Sequence, residues 1–342
     1  MADQQTMTRP RIALAIGDAA GISPELTARV LADPDVRAAE IVVFGDARVL
    51  ARGAEIAGVT LDIDIETLTG ATPVVSAGLA RPLLFDLVNC DPATIETGVV
   101  SEAAGRFATE NFRRALAMAA SGQADAVCFT PFNKSAMRLV TPGYDDEISF
   151  SAREIGFSGV AKEFNVLEGL WNARVTSHVP MKDVSALLSV KAILDNLRLT
   201  NDALKASGIA RPRIAVAAFN PHAGDNGNFG REEIDVIGPA VEAGKAAQIG
   251  CDGPYPADTV FVRAKRGDFD AVLTMYHDQG QIAMKLIGFE EGITLMGGFP
   301  FPICTAAHGT AFDIAGRGIA HPGAMRNAML LAAKMASTAK AA

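Results

Sequence analysis

The stretch of sequence that decides the fold is RIALAIGDAAGISPE, residues 11–25. Its first six residues, Arg11–Ile16, are nearly all apolar and too few for a helix, so they predict a buried strand. A glycine-containing turn follows, after which Ser23 can cap a helix and Pro24 suits its first turn. A buried strand that leads into a helix is the repeating unit of a parallel sheet.

Working outward, apolar runs bounded by glycine and proline alternate with longer amphipathic segments. The predicted strands are Arg11–Ile16, Ile41–Gly45, Leu83–Val88, Asp125–Thr130, Arg174–Val179, Arg213–Phe219 and Asp270–Tyr276. The predicted helices include Ser101–Ala120, Val184–Ser207 and Arg231–Ala247. This order predicts an α/β protein with mainly parallel sheets.

The composition limits the functions that the chain can have. With 342 residues, 49% of them hydrophobic, the chain can build two ordinary domains or one large one with a sizeable core. A net charge of −8 argues against a nucleic-acid partner, because phosphate binding needs a basic surface. The four cysteines form no CxxC pair, which favours a reducing compartment. A polar start and the lack of a long apolar run predict a cytoplasmic protein without a membrane partner.

Three of the five histidines follow predicted strands in glycine- and proline-rich surroundings. They are His178 in TSHVP, His222 in NPHAGD and His277 in YHDQG. The carboxyl ends of parallel strands face the ligand crevice of an α/β protein. Three imidazoles there would form an open site for a divalent metal. The alternative is three unrelated loop histidines that make hydrogen bonds.

A glycine-rich segment near the end of the chain is HGTAFDIAGRGIAHP at residues 308–322, and its glycines permit tight turns and close backbone approach to a ligand. Asp313 can accept hydrogen bonds from both ribose hydroxyls and would repel a 2′-phosphate. The segment resembles the adenosine-binding loop of isopropylmalate and isocitrate dehydrogenases. That resemblance implies NAD binding by His308, Gly309, Thr310, Asp313 and Gly316, whereas a glycine-rich surface loop is the alternative. No GxGxxG follows a predicted strand, so a Rossmann site is not supported.

A wider resemblance covers residues 11–330. The segment GDAAGISPE, residues 17–25, is similar to the opening motif of the 4-hydroxythreonine-4-phosphate dehydrogenases. Further similar segments follow in the family's order: TPFNK (130–134), NPHAG (220–224), FGREE (229–233), GPYPADT (253–259) and YHDQG (276–280). The chain is identified as a member of this family on these motifs.

The resemblance implies a two-domain α/β/α fold like that of isopropylmalate dehydrogenase. The expected first domain is residues 1–135 with 297–342, and the expected second domain, 136–296, carries the metal ligands and dimer contacts. The resemblance further implies a homodimer whose metal site draws histidines from both subunits, the ligands being His178, His222 and His277. The metal is expected to be zinc, cobalt, manganese or magnesium.

Other site residues come from the same resemblance. Asp258 falls on an active-site carboxylate near the metal, and Asn133 and Lys134 fall on a motif of the substrate cleft. A metal-bound hydroxyl must give its proton to a base before hydride leaves, and Lys134 and Asp258 are both candidates.

The substrate pocket departs from the family pattern. Tyr144 and Asp145 replace a pocket histidine and threonine, and of the family's phosphate-binding Lys, Asn and Arg this chain has Lys285, Thr294 and Ile303. Losing the guanidinium removes a bidentate phosphate contact. The sequence therefore predicts a metal-dependent, NAD-linked dehydrogenase of a carboxylated small molecule, a hydroxy acid or dihydrodiol carboxylate, with decarboxylation of the β-keto acid. The alternatives are a 4-hydroxythreonine-4-phosphate dehydrogenase of pyridoxal phosphate biosynthesis and a non-catalytic binding protein on the same fold.

Overall fold

The computed structural model describes residues 9–341. The strands are, in chain order, β1 (Arg11–Ala15), β2 (Glu40–Gly45), β3 (Asp64–Thr67), β4 (Leu83–Asp86), β5 (Ala126–Phe129), β6 (Lys162–Leu167), β7 (Leu170–Arg174), β8 (Ile214–Ala217), β9 (Cys251–Tyr255), β10 (Ala271–Thr274), β11 (Ile293–Gly297) and β12 (Ile303–Ala306). The α-helices are α1 (Ser23–Ala32), α2 (Ala47–Ala57), α3 (Glu102–Ala120), α4 (Lys134–Val140), α5 (Glu147–Ile155), α6 (Met181–Leu187), α7 (Val190–Ala206), α8 (Gly238–Ala246), α9 (Ala257–Lys265), α10 (His277–Gly288) and α11 (Gly323–Ala341). The alternation of strands and helices confirms the predicted α/β class.

The chain divides into two compact units. The first unit is the part up to Ala161 together with the part from Phe299 onward, and the second unit is Lys162–Gly298. The sequence placed the first boundary at residue 135, whereas residues 136–161 belong to the first unit. The reason is that α4 and α5 both pack against α3.

In the first unit the strands lie in the order β3, β4, β2, β1, β5, β12, and all neighbouring pairs are parallel. Every residue of β1 and β2 is buried. Helices α3 and α11 both contact β1 and β5. Strands covered by helices on both faces read as continuous apolar runs, which is why β1 and β2 are predictable from sequence.

In the second unit the strand order is β11, β6, β7, β10, β8, β9. The strands from β7 to β9 are parallel, whereas β6 is antiparallel to both β7 and β11. The sequence pattern missed β6 (KEFNVL) and β9 (CDGPY) because charged residues or proline interrupt their apolar runs. The sheet is nevertheless mainly parallel, as predicted.

Two local predictions are wrong. Ser23 does not cap α1, because Ile22 occupies the cap position and the Ser23 hydroxyl donates instead to the Pro131 carbonyl at 2.7 Å. The strand predicted at Arg174–Val179 is displaced, since β7 ends at Arg174. Asn172 interrupts the apolar run in the sequence, but in the structure it is buried and its Nδ2 donates to Thr274 Oγ1 at 3.2 Å.

Two predicted helices are interrupted. The helix predicted at Val184–Ser207 is split into α6 and α7, because the Ser189 hydroxyl accepts the Ala192 N–H and starts a new helix. The helix predicted at Arg231–Ala247 contains a π-helical turn, Glu233–Ile237, before α8. π-helical turns are rare and often occur at functional sites.

The four cysteines are buried and carry free thiols. Cys128 and Cys304 hold paired positions on β5 and β12, where burial raises the pKa of both thiols. Within residues 9–341, no helix has the length and apolar character needed to cross a bilayer.

Candidate active site

Two of the three predicted metal ligands face each other in the second unit. His178 lies in the loop after β7, and His277 begins α10, shortly after β10. Because β7 and β10 are parallel neighbours, their carboxyl ends bring the two imidazoles together, with ring centroids 5.6 Å apart. The rings border a cavity of about 180 Å³ whose lining includes Met181 and Asp278. His277 Nδ1 lies 2.6 Å from the Asp278 carboxylate, a contact of the kind that orients metal-binding histidines.

The third histidine, His222, belongs to a turn with an unusual backbone. Residues 222–226 all have positive φ, from 43° to 79°, although only Gly224 among them lacks a side chain. A left-handed conformation costs a residue with a side chain roughly 1–2 kcal/mol. Such strain persists only where the surroundings enforce it, and it concentrates at functional sites. His178 shares the feature, with φ of 51°.

A single chain does not assemble the predicted three-histidine cluster. Within residues 9–341, no group of three or more His, Cys, Asp or Glu side chains is arranged to hold a metal ion. The donors that are present fit a transition metal in part, since two imidazoles face each other beside a cavity at the strand ends. His222 does not complete a three-ligand group with this pair among the described residues.

Gln279, a residue that the sequence analysis did not single out, joins the strand ends that lead to two of these histidines. Its Oε1 accepts the Met275 N–H at 2.7 Å, and its Nε2 donates to the Ala218 carbonyl at 2.6 Å. Met275 precedes His277, and Ala218 precedes the turn of His222. The signal was present in the sequence, because Gln279 lies within the YHDQG motif.

The remaining predicted residues of the second unit are accessible to a ligand. Asp258 is exposed in the first turn of α9, and Lys285 is exposed on α10. In the described part of the chain, neither side chain forms a hydrogen bond or ion pair. Thr294 is partly buried in β11, opposite Asn165 of β6.

In the first unit, Lys134 and Tyr144 meet at Glu147. Lys134 Nζ lies 3.3 Å from Glu147 Oε2, and the Tyr144 hydroxyl donates to Glu147 Oε1 at 3.0 Å. Tyr144 is only 4% exposed, and burial together with the Glu147 charge raises the pKa of its phenol. Asn133 caps α4 by accepting the Ala136 N–H at 3.0 Å. Sequence reasoning missed Glu147, which follows Tyr144 and Asp145 in the segment GYDDE, residues 143–147.

Asp145 and Ile303 have contrasting environments. Asp145 is exposed in the loop before α5. Ile303 begins β12 opposite Val127, with no exposed surface, so its side chain belongs to the core of the first unit. It offers no polar group to a phosphate.

The glycine-rich loop between β12 and α11 is held against α1. The Ile22 N–H donates to the Thr310 carbonyl at 3.0 Å, and Glu25 Oε1 accepts the Ala320 N–H at 2.8 Å. Gly21 packs so closely that a Cβ there would lie 2.7 Å from the Thr310 carbonyl oxygen, so only glycine fits. The start of the chain therefore positions this loop.

The loop exposes Gly309, Asp313 and Gly316 of its predicted nucleotide-binding residues, whereas His308 and Thr310 are partly buried. The Asp313 side chain is exposed, and open space surrounds Gly309. Gly316 adopts φ of 76°. Burial lowers the pKa of the His308 imidazole. An exposed carboxylate in a glycine-rich loop suits the ribose of a nucleotide.

Asp18, in the turn after β1, is a buried carboxyl group. It is 1% exposed, and its Oδ1 accepts the Ala20 N–H at 2.9 Å. Its Oδ2 has no partner among the described residues. Burial raises the pKa of this carboxyl to about 6, against the opposing effect of the Ala20 hydrogen bond.

Comparison with known proteins adds the family. Residues 37–332 match the family described as pyridoxal phosphate biosynthetic protein PdxA. The chain belongs to this family. A Rhizobium meliloti protein named "Putative 4-hydroxythreonine-4-phosphate dehydrogenase 2" is 59% identical over 99% of this chain and 97% of that protein. A D-threonate 4-phosphate dehydrogenase of Pectobacterium atrosepticum is 34% identical over 95% of this chain and 99% of that protein.

Among solved structures, a 4-hydroxythreonine-4-phosphate dehydrogenase from Klebsiella pneumoniae superimposes with a TM-score of 0.82. The two share 34% sequence identity over 98% of this chain and 100% of that one. Membership of the PdxA family confirms the prediction of an oxidoreductase of the dehydrogenase type. Family membership therefore argues against the alternative that the chain is a non-catalytic binding protein.

Proposed function

We propose that this PdxA-family protein is an NAD-dependent dehydrogenase that oxidises the secondary hydroxyl of a small 4-phosphorylated hydroxy acid. The observation that carries the proposal is the pair of imidazoles, His178 and His277, facing each other beside a cavity at the carboxyl ends of β7 and β10. The names of the relatives support 4-hydroxythreonine 4-phosphate or threonate 4-phosphate as the substrate class. A ketone formed β to a carboxylate then loses carbon dioxide.

The reaction needs a divalent cation and NAD, and residues of this chain would hold both. A divalent cation would be held by His178 and His277 together with His222, and when bound it favours loss of a proton from the hydroxyl. NAD would be held at the glycine-rich loop through Asp313, and when bound it accepts the hydride. The hydroxyl proton needs an acceptor, and the candidates are Lys134 in the first unit and Asp258 in the second.

We further propose that the enzyme is a homodimer and that the second copy completes the metal site. One chain brings His178 and His277 together, but its described residues form no group of three metal-binding side chains. Helix α10 and the turn after it expose an apolar stripe of Ile282, Leu286 and Phe289, which are 61%, 83% and 56% exposed. Apolar residues spaced by four and three positions share one face of a helix, the pattern of a helix that packs on a partner.

The residues at the family's phosphate-binding positions suggest a second candidate function. Lys285 is an exposed cation, whereas Thr294 and Ile303 stand where the resemblance implies Asn and Arg. Since Ile303 is fully buried in β12, it cannot hold a phosphate. This observation favours an unphosphorylated, carboxylated hydroxy acid or diol, for which one lysine suffices. The relatives' names favour the phosphorylated class.

The experiment compares kcat/KM for 4-hydroxythreonine 4-phosphate and D-threonate 4-phosphate with that for their unphosphorylated forms, with NAD and cobalt. We expect at least a tenfold preference for a phosphorylated substrate. Lys285→Ala should lower that preference roughly ten- to a hundredfold, because a charge-assisted hydrogen bond contributes about 1.5–3 kcal/mol. Lys191→Ala, which removes an exposed lysine on α7, is the matched control. Preference for an unphosphorylated acid would establish the second candidate instead.

A further inference from the structure

The left-handed turn at residues 222–226 needs a structural cause, since four of its five residues carry side chains. Strand β8 ends at Ala217, and the Ala218 N–H makes one more sheet-like bond, to the Tyr255 carbonyl at 2.8 Å. From Phe219 onward the chain has left the sheet. The backbone donors that follow therefore need partners of another kind.

A single buried carboxylate supplies those partners. Glu233 is 5% exposed, and its Oε1 accepts the N–H of Phe219 at 2.8 Å and the N–H of Asn220 at 2.7 Å. Its Oε2 accepts the Asn220 Nδ2–H at 2.9 Å. Three donors thus converge on one side chain immediately before His222.

The same carboxylate also lies directly against the turn. A Cβ placed on Gly224 would lie 2.7 Å from Glu233 Oε2, so any larger residue at this position would displace the carboxylate. The Phe229 N–H closes the segment by donating to the Gly224 carbonyl at 3.1 Å. Glu233 begins the π-helical turn that precedes α8. A π-helical turn contains one residue more than a turn of α-helix, which changes the direction in which side chains at its start point.

Neighbouring acidic groups do not duplicate this role. Glu232 binds the Asn220 Nδ2 and the Ser185 hydroxyl, but it reaches no backbone N–H of residues 219–220. Asp235 is exposed and pairs with Arg231 on the surface. Glu233 alone among these three connects the helix to the backbone that leads into His222.

We propose that Glu233 is a positioning residue that holds the left-handed turn so that His222 is presented for metal binding. The inference rests on the proposed function, because it takes His222 as a metal ligand. It makes Glu233 act through His222 and not through contact with metal or substrate. Groups that orient metal ligands typically change metal affinity by 10- to 100-fold when they are removed.

The test is cobalt(II) binding by the full-length protein, measured by calorimetry and by visible absorption. Glu233→Gln retains the volume, but its NH2 group would face the Asn220 Nδ2–H, so one acceptor is lost. We expect cobalt affinity to fall at least about tenfold, with unchanged far-ultraviolet circular dichroism and unchanged NAD binding. Asp235→Asn removes a nearby exposed charge and should leave cobalt affinity within twofold of the wild type.

A double-mutant comparison separates positioning from a general effect on stability. His222→Ala alone should weaken cobalt binding, and adding Glu233→Gln to it should cause no further loss. An additional tenfold loss in the double variant, or full cobalt affinity in Glu233→Gln, would overturn the proposal.

Gly224→Ala provides a second route if Glu233→Gln folds poorly. It displaces the carboxylate without removing its charge, and we expect a comparable loss of cobalt affinity; retained affinity would also overturn the proposal. If His222→Ala binds cobalt as well as the wild type does, the proposed metal site itself is wrong. That result differs from failure of the Glu233 proposal alone, in which His222→Ala loses affinity but Glu233→Gln does not.

Discussion

Replacing Asp18 by Asn should stabilise the protein relative to the wild type, and this gain in unfolding free energy should be larger at neutral pH than at acidic pH. Asp18 is 1% exposed and its Oδ2 has no partner in the described part of the chain. Burial raises the pKa of the carboxyl from 3.8 to about 6. The native state therefore binds the proton more tightly than the unfolded state does. The wild type therefore loses stability as the pH rises. This loss is absent below about pH 4 and complete above about pH 6.

The magnitude follows from the size of the shift. About two pKa units at 1.36 kcal/mol each correspond to about 3 kcal/mol in total, of which about 2 kcal/mol develops between about pH 4.5 and pH 7.5. Asn is neutral at every pH and its Oδ1 can still accept the Ala20 N–H. The difference in unfolding free energy between Asp18→Asn and the wild type should therefore increase by about 2 kcal/mol over this range.

Urea unfolding at several pH values measures this difference directly. Asp313→Asn, which removes one negative charge from an exposed position, is the matched control. A difference between Asp18→Asn and the wild type that changes by less than about 0.5 kcal/mol across the range would refute the argument from burial.

Two further predictions concern the cofactor and the assembly. Asp313→Ala should lower the ratio of kcat/KM with NAD to kcat/KM with NADP, because the variant lacks the carboxylate that repels a 2′-phosphate. Equal use of both cofactors by the wild type would contradict the assignment of Asp313. Leu286→Glu should convert a dimer into monomers in light scattering after gel filtration, because Leu286 is 83% exposed on the apolar stripe of α10. The control is Val74→Glu, at an 84% exposed position of the first unit, and a wild type that is itself monomeric would exclude the proposed dimer.

Much of this architecture is predictable from local sequence. The buried strands β1, β2 and β8 are short apolar runs, so their pattern indicates both their type and their approximate bounds. The motifs of the family identify the dehydrogenase class, and the three strand-end histidines predict a metal site. The class and the expectation of a metal site depend on residue type and on spacing along the chain, which the sequence contains directly.

Other features depend on contacts between distant segments, and only the tertiary structure decides them. The sequence marks Ser23 as a helix cap, but the close approach of the Pro131 carbonyl takes its hydroxyl. Glu147 and Glu233 are ordinary acidic residues in the sequence. Their roles appear only where folding places Glu147 beside Lys134 and directs Glu233 to the amides before His222.

The sequence by itself determined the α/β class, the family and the types of residue available for chemistry, because periodicity and motifs are local properties of the chain. The tertiary structure decided which of those residues meet. It brought His178 and His277 together because β7 and β10 are neighbours in the sheet, and it placed His222 in a left-handed turn. Neighbours in a sheet come from topology and side-chain packing, which join residues far apart in the chain and leave no periodic signal in it.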